Sequence, residues 1–168
     1  MRELLLIGIG TGNPDHVTRA AEKAIREADI ILVPRKGEEK SDLADLRHLI
    51  CDRAGPAGEV LDFDLPVRDA SGAYVDGVND WHDAIARAWT EAAARRPQAT
   101  RVALLIWGDP SLYDSSLRIA ERLSPRPQIT VIPGITALQA LTAAHAIPLN
   151  EIGAPVVVTT GRRLRDGG

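Results

Sequence analysis

The sequence is poor in aromatic residues and contains a single cysteine, Cys51. Phenylalanine, tyrosine and tryptophan make up 4% of the 168 residues, so we expect a core of aliphatic side chains and alanine. One cysteine excludes a disulfide within these residues and is typical of a reducing compartment, so we expect a cytoplasmic protein. We interpret Cys51 as a small buried hydrophobic residue.

The sequence also lacks a long apolar run and an excess of basic charge. No segment approaches the roughly 20 apolar residues of a membrane span, and the apolar run after Met1 lacks a signal-peptide cleavage pattern. The formal net charge is −3 and the pI is near 5.8, whereas nucleic-acid-binding domains are commonly basic. We therefore expect neither a membrane nor a nucleic acid as partner. The four histidines are scattered without ligand spacing, and we expect no metal site.

Short apolar runs alternate along the chain with segments of helical periodicity. This alternation is typical of a parallel sheet covered by helices on both faces. We predict strands at residues 4–9, 30–33, 60–63, 101–107 and 129–132, and helices at residues 18–28, 41–53, 78–95, 115–123 and 136–145. The sequence thus predicts an α/β domain with a five-stranded parallel sheet at residues 1–150. A sixth apolar run at 156–159 predicts one more strand, with residues 151–168 as the start of a truncated second α/β domain.

Two predicted helices carry apolar stripes that we assign to the core. Helical spacing in the 78–95 segment groups four side chains on one face: Trp81, Ile85, Trp89 and Ala92. In the 41–53 segment we place Cys51 in a stripe with four others: Leu43, Leu46, Leu49 and Ile50.

Glycine-containing loops follow three of the predicted strands, at residues 8–12, 108–110 and 133–136. The carboxyl ends of parallel strands meet at one edge of the sheet, where ligands bind in open α/β folds. This edge offers backbone amides, the carboxylate of Asp109 and the hydroxyls of Thr11 and Thr136. These groups suit a polar, adenosine-like ligand.

A fourth loop at the same edge is basic and contains Arg35, Lys36 and Lys40. Such a loop suits an anionic ligand, although a solvated charged loop would have the same composition. A nicotinamide dinucleotide is a weaker alternative for the edge as a whole. Its fingerprint requires a third glycine where this chain has Asn13, and an acidic residue after the second strand, where Val33 and Pro34 stand.

Three segments in order along the chain resemble the tetrapyrrole (corrin/porphyrin) methyltransferases: residues 6–14 (LIGIGTGNP), 108–113 (GDPSLY) and 131–136 (VIPGIT). The resemblance implies a fold in which S-adenosylmethionine binds between two α/β domains. By motif position it implies that the cofactor site is formed by Gly10, Thr11, Trp107, Gly108, Asp109, Leu112, Thr136 and Ala137.

The resemblance further implies a homodimeric C-methyltransferase of aerobic cobalamin biosynthesis. The implied reaction is methylation of C1 of the tetrapyrrole precorrin-5 with hydrolytic loss of an acetyl group. Arg35, Lys36 and Lys40 are then candidates for binding the substrate carboxylates, and no catalytic residue is assigned. Two alternatives stay open: a methyltransferase of the same fold acting on diphthine or ribosomal RNA, and a truncated half without catalytic activity. The acidic pI disfavours RNA.

Overall fold

A computed structural model describes residues 1–35, 41–66 and 74–159, without the side chains of residues 41 and 74–76. The chain divides into two compact units, Met1–Thr136 and Ala137–Gly168. The first unit contains the sheet, and each unit is described by itself. That residues 151–168 begin a second α/β domain stays a prediction.

The sheet of the first unit has five parallel strands in the described residues: β1 (Glu3–Gly8), β2 (Ile30–Arg35), β3 (Glu59–Asp64), β4 (Arg101–Ile106) and β5 (Gln128–Ile132). Their spatial order is β3-β2-β4-β1-β5. β1 lies between β4 and β5, and at its carboxyl end Gly8 pairs with Ile106 of β4 and Ile7 pairs with Ile132 of β5. The predicted five-stranded parallel sheet is confirmed.

Helices cover both faces of this sheet, as the alternating pattern predicts. The helices of the first unit are α1 (Arg19–Glu27), α2 (Ser41–Ala54), α3 (Tyr74–Ala94) and α4 (Ser116–Ala120), together with a short 3-10 helix (Pro14–His16). Leu5 and Ile7 of β1 share a buried cluster with α1 and α2. Leu4 and Leu6 share the opposite cluster with α3 and α4. The interior strand β1 is therefore apolar on both faces, which is the burial pattern of a parallel sheet.

The predicted stripe of α3 is confirmed for Ile85, Trp89 and Ala92, which are buried. Trp81, one turn before Ile85, is only half-buried. Its indole Nε1–H donates a 3.1 Å hydrogen bond to the carbonyl oxygen of Pro66. A tryptophan with one polar end suits this boundary position.

The stripe predicted for α2 is partly wrong. Cys51 and Ile50 are buried as predicted and Leu46 is half-buried, but Leu43 and Leu49 are exposed. Besides Ile50, the buried positions of α2 follow the i, i+3, i+7, i+10 spacing, which brings a charged residue into the buried face: Ala44, Arg47, Cys51 and Ala54. The helical register, and not the presence of leucine, decides which side of α2 faces the sheet.

The second unit contains α5 (Ala137–His145). The strand predicted at residues 156–159 is wrong, because these residues are not in a strand. No described helix has the length and apolar character needed to cross a membrane.

Candidate functional site

The connections that follow the neighbouring strands β1 and β4 lead to opposite faces of the sheet. The loop after β1 leads to α1 on one face, and the loop after β4 leads to α4 on the opposite face. The two loops therefore leave the same sheet edge in divergent directions. Such a point of divergence is where open α/β sheets form their ligand-binding crevice.

Gly10 and Gly108 join these two loops through their backbones. The N–H of Gly108 donates a 2.7 Å hydrogen bond to the carbonyl oxygen of Gly10, and a 3.4 Å bond returns from the N–H of Gly10. Both residues are in the left-handed region, with φ of 76° and 65°. A side chain is strained in this conformation, so glycine is required for the loops to meet in this way.

Gly134 brings the loop after β5 to the same place. A Cβ on Gly8 would lie 2.6 Å from the nitrogen of Gly134, and a Cβ on Gly134 would clash with the carbonyl oxygen of Gly108. The three glycine loops predicted to converge are thus in direct backbone contact. Gly8 and Gly134 are accounted for by this contact alone.

Asp109 is 9% exposed and connects the loops after β4 and β5. Its Oδ1 accepts hydrogen bonds from the hydroxyl and the backbone N–H of Ser111, the latter at 2.8 Å. Its Oδ2 accepts from the backbone N–H of Gly134 at 2.9 Å. Burial alone raises the pKa of Asp109, but these hydrogen bonds outweigh burial and the pKa lies below its ordinary value.

These partners assign Asp109 a positioning role that the sequence did not indicate. Both carboxylate oxygens accept hydrogen bonds from the protein itself. Asp109 therefore holds the loops in place, and its direct contact with a cofactor stays a prediction.

The loop after β1 presents Thr11 to solvent and ends in a short turn. Oδ1 of Asn13 accepts a 3.0 Å hydrogen bond from the N–H of Asp15, which starts the 3-10 helix. His16 packs under Gly10, where a Cβ on the glycine would lie 3.0 Å from the histidine Cβ. Nδ1 of His16 is buried and has no hydrogen-bond partner in the described residues.

The other predicted cofactor residues lie near this junction or at the border of the first unit. The N–H of Leu112 donates to the carbonyl oxygen of Asp109 at 3.2 Å. Thr136 ends the first unit, and its Cα is 3.8 Å from the position of a Cβ on Gly108. Ala137 begins α5 and belongs to the second unit. Trp107, directly after β4, is half-buried.

Of the predicted basic loop, only Arg35 can be placed, because Lys36 and Lys40 lie outside the described residues. Arg35 ends β2 and is exposed, with Nη1 3.8 Å from Oδ2 of Asp62. Asp62 also contacts Nε2 of His48 at 2.9 Å. Substrate binding by the three basic residues stays a prediction.

Arg47 is not among the site residues predicted from the sequence. It lines a cavity of about 280 Å³ at the carboxyl ends of β2, β3 and β4. Arg47 is 8% exposed, and its guanidinium carbon lies 4.7 Å from the centroid of the Trp107 ring. A signal was available in the sequence. Arg47 occupies the apolar register of α2 between Ala44 and Cys51, where an arginine is rarely buried without a reason.

The glycine junction fits the adenosine-like ligand that the sequence predicts. A Cβ on Gly108 would meet only the Cα of Thr136 at ordinary contact distance, so the loop is open on that side. A ligand can therefore approach the Gly108 backbone closely. In the described residues, no group of three histidine, cysteine or acidic side chains could hold a metal ion.

Comparison with known proteins agrees with this geometry. The family model of the tetrapyrrole (corrin/porphyrin) methylases matches residues 3–167, and the chain belongs to this family of methyltransferases, as predicted. It is similar to precorrin-6A synthase (deacetylating) from Sinorhizobium sp, with 45% identity over 99% of the chain and 67% of that protein. It is also 31% identical to the precorrin-2 C(20)-methyltransferase of Sinorhizobium sp, over 96% of the chain and 69% of that protein.

Solved structures show the same similarity. The crystal structure of a cobalamin synthesis related protein (CobF) from Corynebacterium diphtheriae superposes with a TM-score of 0.79 and 39% identity, over all of this chain and 68% of that one. Uroporphyrin-III C-methyltransferase from Thermus thermophilus, solved with S-adenosylhomocysteine, has a TM-score of 0.52 and 22% identity, over 90% of this chain and 51% of that one. The second likeness shows a shared fold only.

Proposed function

We propose that this chain acts in cobalamin biosynthesis as a methyltransferase that uses S-adenosylmethionine to methylate C1 of precorrin-5, with hydrolytic loss of an acetyl group. The identity of 45% to precorrin-6A synthase supports this substrate. The observation that carries the proposal is the junction of three glycine loops at the sheet edge where the connections after β1 and β4 diverge to opposite faces. Diphthine and ribosomal RNA have no comparable support.

We place the cofactor at this junction, against the loops of β1, β4 and β5. The residues proposed to form its site are Gly10, Thr11, Trp107, Gly108, Asp109, Leu112, Thr136 and Ala137. When bound, S-adenosylmethionine supplies a methyl group that its sulfonium already activates. The protein has to align this methyl group with the substrate carbon, a task for a rigid binding site more than for an acid or base.

The described residues provide this rigidity through hydrogen bonds between the loops. Asp109 holds the loop of Gly134, and Gly10 and Gly108 hold each other. These contacts order the loops before a ligand arrives, which reduces the entropy lost on binding. Arg35, Lys36 and Lys40 are proposed to attract the carboxylates of the tetrapyrrole.

We also propose that the protein is a cytoplasmic homodimer. The lone cysteine, which is buried, supports a reducing compartment. Dimerisation follows from the resemblance to the family. Light scattering at micromolar concentration tests it, and a monomer there contradicts it.

Titration with S-adenosylhomocysteine by calorimetry tests the cofactor site. We expect binding at one site in the wild-type chain and at least about tenfold weaker binding in Gly108→Ala, because the new methyl group fills the open side of the loop. Gly55→Ala is the matched control. Gly55 has a φ of 67°, close to that of Gly108, and no atom lies within 4 Å of its added Cβ. Equal affinities of the two variants contradict the proposed site.

Turnover tests the reaction itself. The chain is incubated with precorrin-5 and S-adenosylmethionine, and the tetrapyrrole product and acetate are followed by mass spectrometry. We expect one methyl group gained and one acetate released per turnover. If the chain binds the cofactor but forms no product, the result favours the alternative of a truncated half without catalytic activity.

A further inference from the structure

We propose that the cavity lined by Arg47 and Trp107 is a subsite for a ligand carboxylate, with the Arg47 guanidinium as its anchor. The subsite rests on the geometry of the first unit alone. Its assignment to a ligand of the methyl-transfer reaction rests on the proposed function. The basic residues predicted to bind the substrate follow β2 in the sequence, whereas Arg47 lies on the buried face of α2.

Arg47 reaches the cavity through an opening in the sheet. β2 pairs with β4 only over Ile30–Leu32, opposite Val102–Leu104, so the two strands are no longer paired beyond Leu104. At this point Nε of Arg47 donates a 3.1 Å hydrogen bond to the carbonyl oxygen of Leu105. The guanidinium is thus held at the end of β4, close to the Gly108 loop.

Arg47 lies over the Trp107 ring but forms no salt bridge within the described part of the chain. Its hydrogen bonds there run to two backbone carbonyl oxygens, those of Leu105 and, at 3.2 Å, Leu43. Burial lowers the pKa of Arg47 to about 10, and attraction to Asp114 acts in the opposite direction. At neutral pH the guanidinium is therefore a buried cation, which is costly unless an anion accompanies it.

Asp114 lines the same cavity, and its charge partly offsets that of Arg47 without an ion pair between the two in the described residues. Its Oδ1 accepts a 2.6 Å hydrogen bond from the backbone N–H of Ser116, at the start of α4. A second donor, the indole Nε1–H of Trp107, is buried without an acceptor in the described residues. Among the described residues Arg47 has no salt-bridge partner and the indole N–H has no acceptor, and both features suit an anionic ligand.

The shape of the cavity narrows the kind of anion. A volume of about 280 Å³ is at the lower end for a small-molecule site and suits one arm of a larger ligand. The lining includes the hydroxyl residues Ser115 and Ser116 and five aromatic or aliphatic side chains: Phe63, Trp81, Ile85, Trp89 and Ile119. A short aliphatic chain ending in a carboxylate matches these walls and this cation. Both an acetate or propionate side chain of a tetrapyrrole and the methionine end of the cofactor carry such a carboxylate.

Acetate is a probe of the subsite that does not depend on the reaction. The indole N–H signals of the tryptophans are followed by NMR while sodium acetate replaces sodium chloride at constant ionic strength. We expect a saturable shift of the Trp107 signal with a Kd of about millimolar, and a much smaller shift of Trp81, whose N–H is bonded to Pro66. Arg47→Met should abolish the saturable shift.

Arg53→Met is the control from the same helix, because Arg53 is exposed and pairs with Asp15 at 3.1 Å. It should titrate like the wild-type chain. Unchanged far-ultraviolet circular dichroism in each variant shows that the fold is retained. If Arg47→Met fails to fold, Arg47→Lys replaces it, with an expected acetate affinity at least about threefold weaker because lysine lacks the planar fork. The absence of a saturable, acetate-dependent shift of Trp107 in the wild-type chain overturns the proposal.

Two further titrations distinguish the sources of the carboxylate. Uroporphyrin, a tetrapyrrole with eight carboxylates, is followed by fluorescence, and S-adenosylhomocysteine by calorimetry. A loss of about tenfold in Arg47→Met for uroporphyrin alone assigns the subsite to the tetrapyrrole, and a loss for S-adenosylhomocysteine alone assigns it to the cofactor. An acetate site in a chain that binds neither ligand rejects the proposed function but keeps the subsite. If Arg47→Met binds uroporphyrin, S-adenosylhomocysteine and acetate with the affinity of the wild-type chain, the subsite proposal is wrong.

Discussion

The backbone N–H of Gly134 donates a 2.9 Å hydrogen bond to Oδ2 of Asp109, across two loops that leave different strands. The other carboxylate oxygen of Asp109 accepts from Ser111 within its own loop. A single buried carboxylate therefore fixes the turn after β4 and its distance from the turn after β5. Stability and ligand binding are linked through this residue, because both loops belong to the proposed cofactor site.

Asp109→Asn should lower the free energy of unfolding by about 1–3 kcal/mol at pH 7. The amide has one oxygen, so either the N–H of Gly134 or that of Ser111 loses its acceptor and faces an NH₂ group. Urea denaturation measures the change. Asp83→Asn is the control, since Asp83 forms an ion pair with Arg122 at the surface and should contribute less than about 1 kcal/mol. Similar losses in the two variants contradict the positioning role.

The stabilisation by Asp109 should depend on pH in the acid range. Its pKa in the folded protein lies below the ordinary value of 3.8. The contribution is therefore complete above the pKa of the unfolded chain, and it is lost as the pH falls through the folded pKa. The stability difference between wild type and Asp109→Asn should be constant down to about pH 5 and should shrink below about pH 4. A difference that is the same at pH 3 and pH 6 contradicts this assignment.

Gly134→Ala should destabilise the first unit by about 3 kcal/mol, because the added methyl group meets the carbonyl oxygen of Gly108 and the backbone of Gly8. Backbone atoms cannot move aside as a flexible side chain can. Gly55→Ala, with open space around its Cβ, should lose only about 1 kcal/mol from its left-handed conformation. Thermal unfolding of both variants measures the contrast. A Gly134→Ala variant as stable as Gly55→Ala shows that the loops are not in tight contact.

The strand and helix pattern was predictable because short apolar runs indicate the strands and helical periodicity indicates the helices. The apolar run of β1 supplies both faces, with Leu4 and Leu6 on one side and Leu5 and Ile7 on the other. The meeting of the three loops was also predictable, since parallel strands present their carboxyl ends at one edge. The strand order required the structure, because β4 inserts between β2 and β1.

The roles of Asp109 and Arg47 were not predictable from local sequence. The partner of Asp109 is 25 residues away at Gly134, and the carbonyl that binds Arg47 is 58 residues away at Leu105. Such pairs depend on strand order and on where the pairing of β2 and β4 ends. The strand predicted at 156–159 was wrong because a short apolar run does not by itself decide between a strand and an irregular segment.

Cys51 should be unreactive in the native protein. Burial and, to a lesser extent, the charge of the neighbouring Asp52 raise the pKa of its thiol to about 12. The thiolate is the reactive species, so at about pH 8 the native reaction with a disulfide reagent should be about 10³-fold slower than in denaturant. Absorbance of the released thiol measures both rates. Ala94→Cys in a Cys51→Ala background places a thiol at an exposed position of α3 and should react at nearly the denatured rate. A native rate for Cys51 within tenfold of that control shows that α2 opens readily, and the buried environment of Arg47 on the same helix would then be only transient.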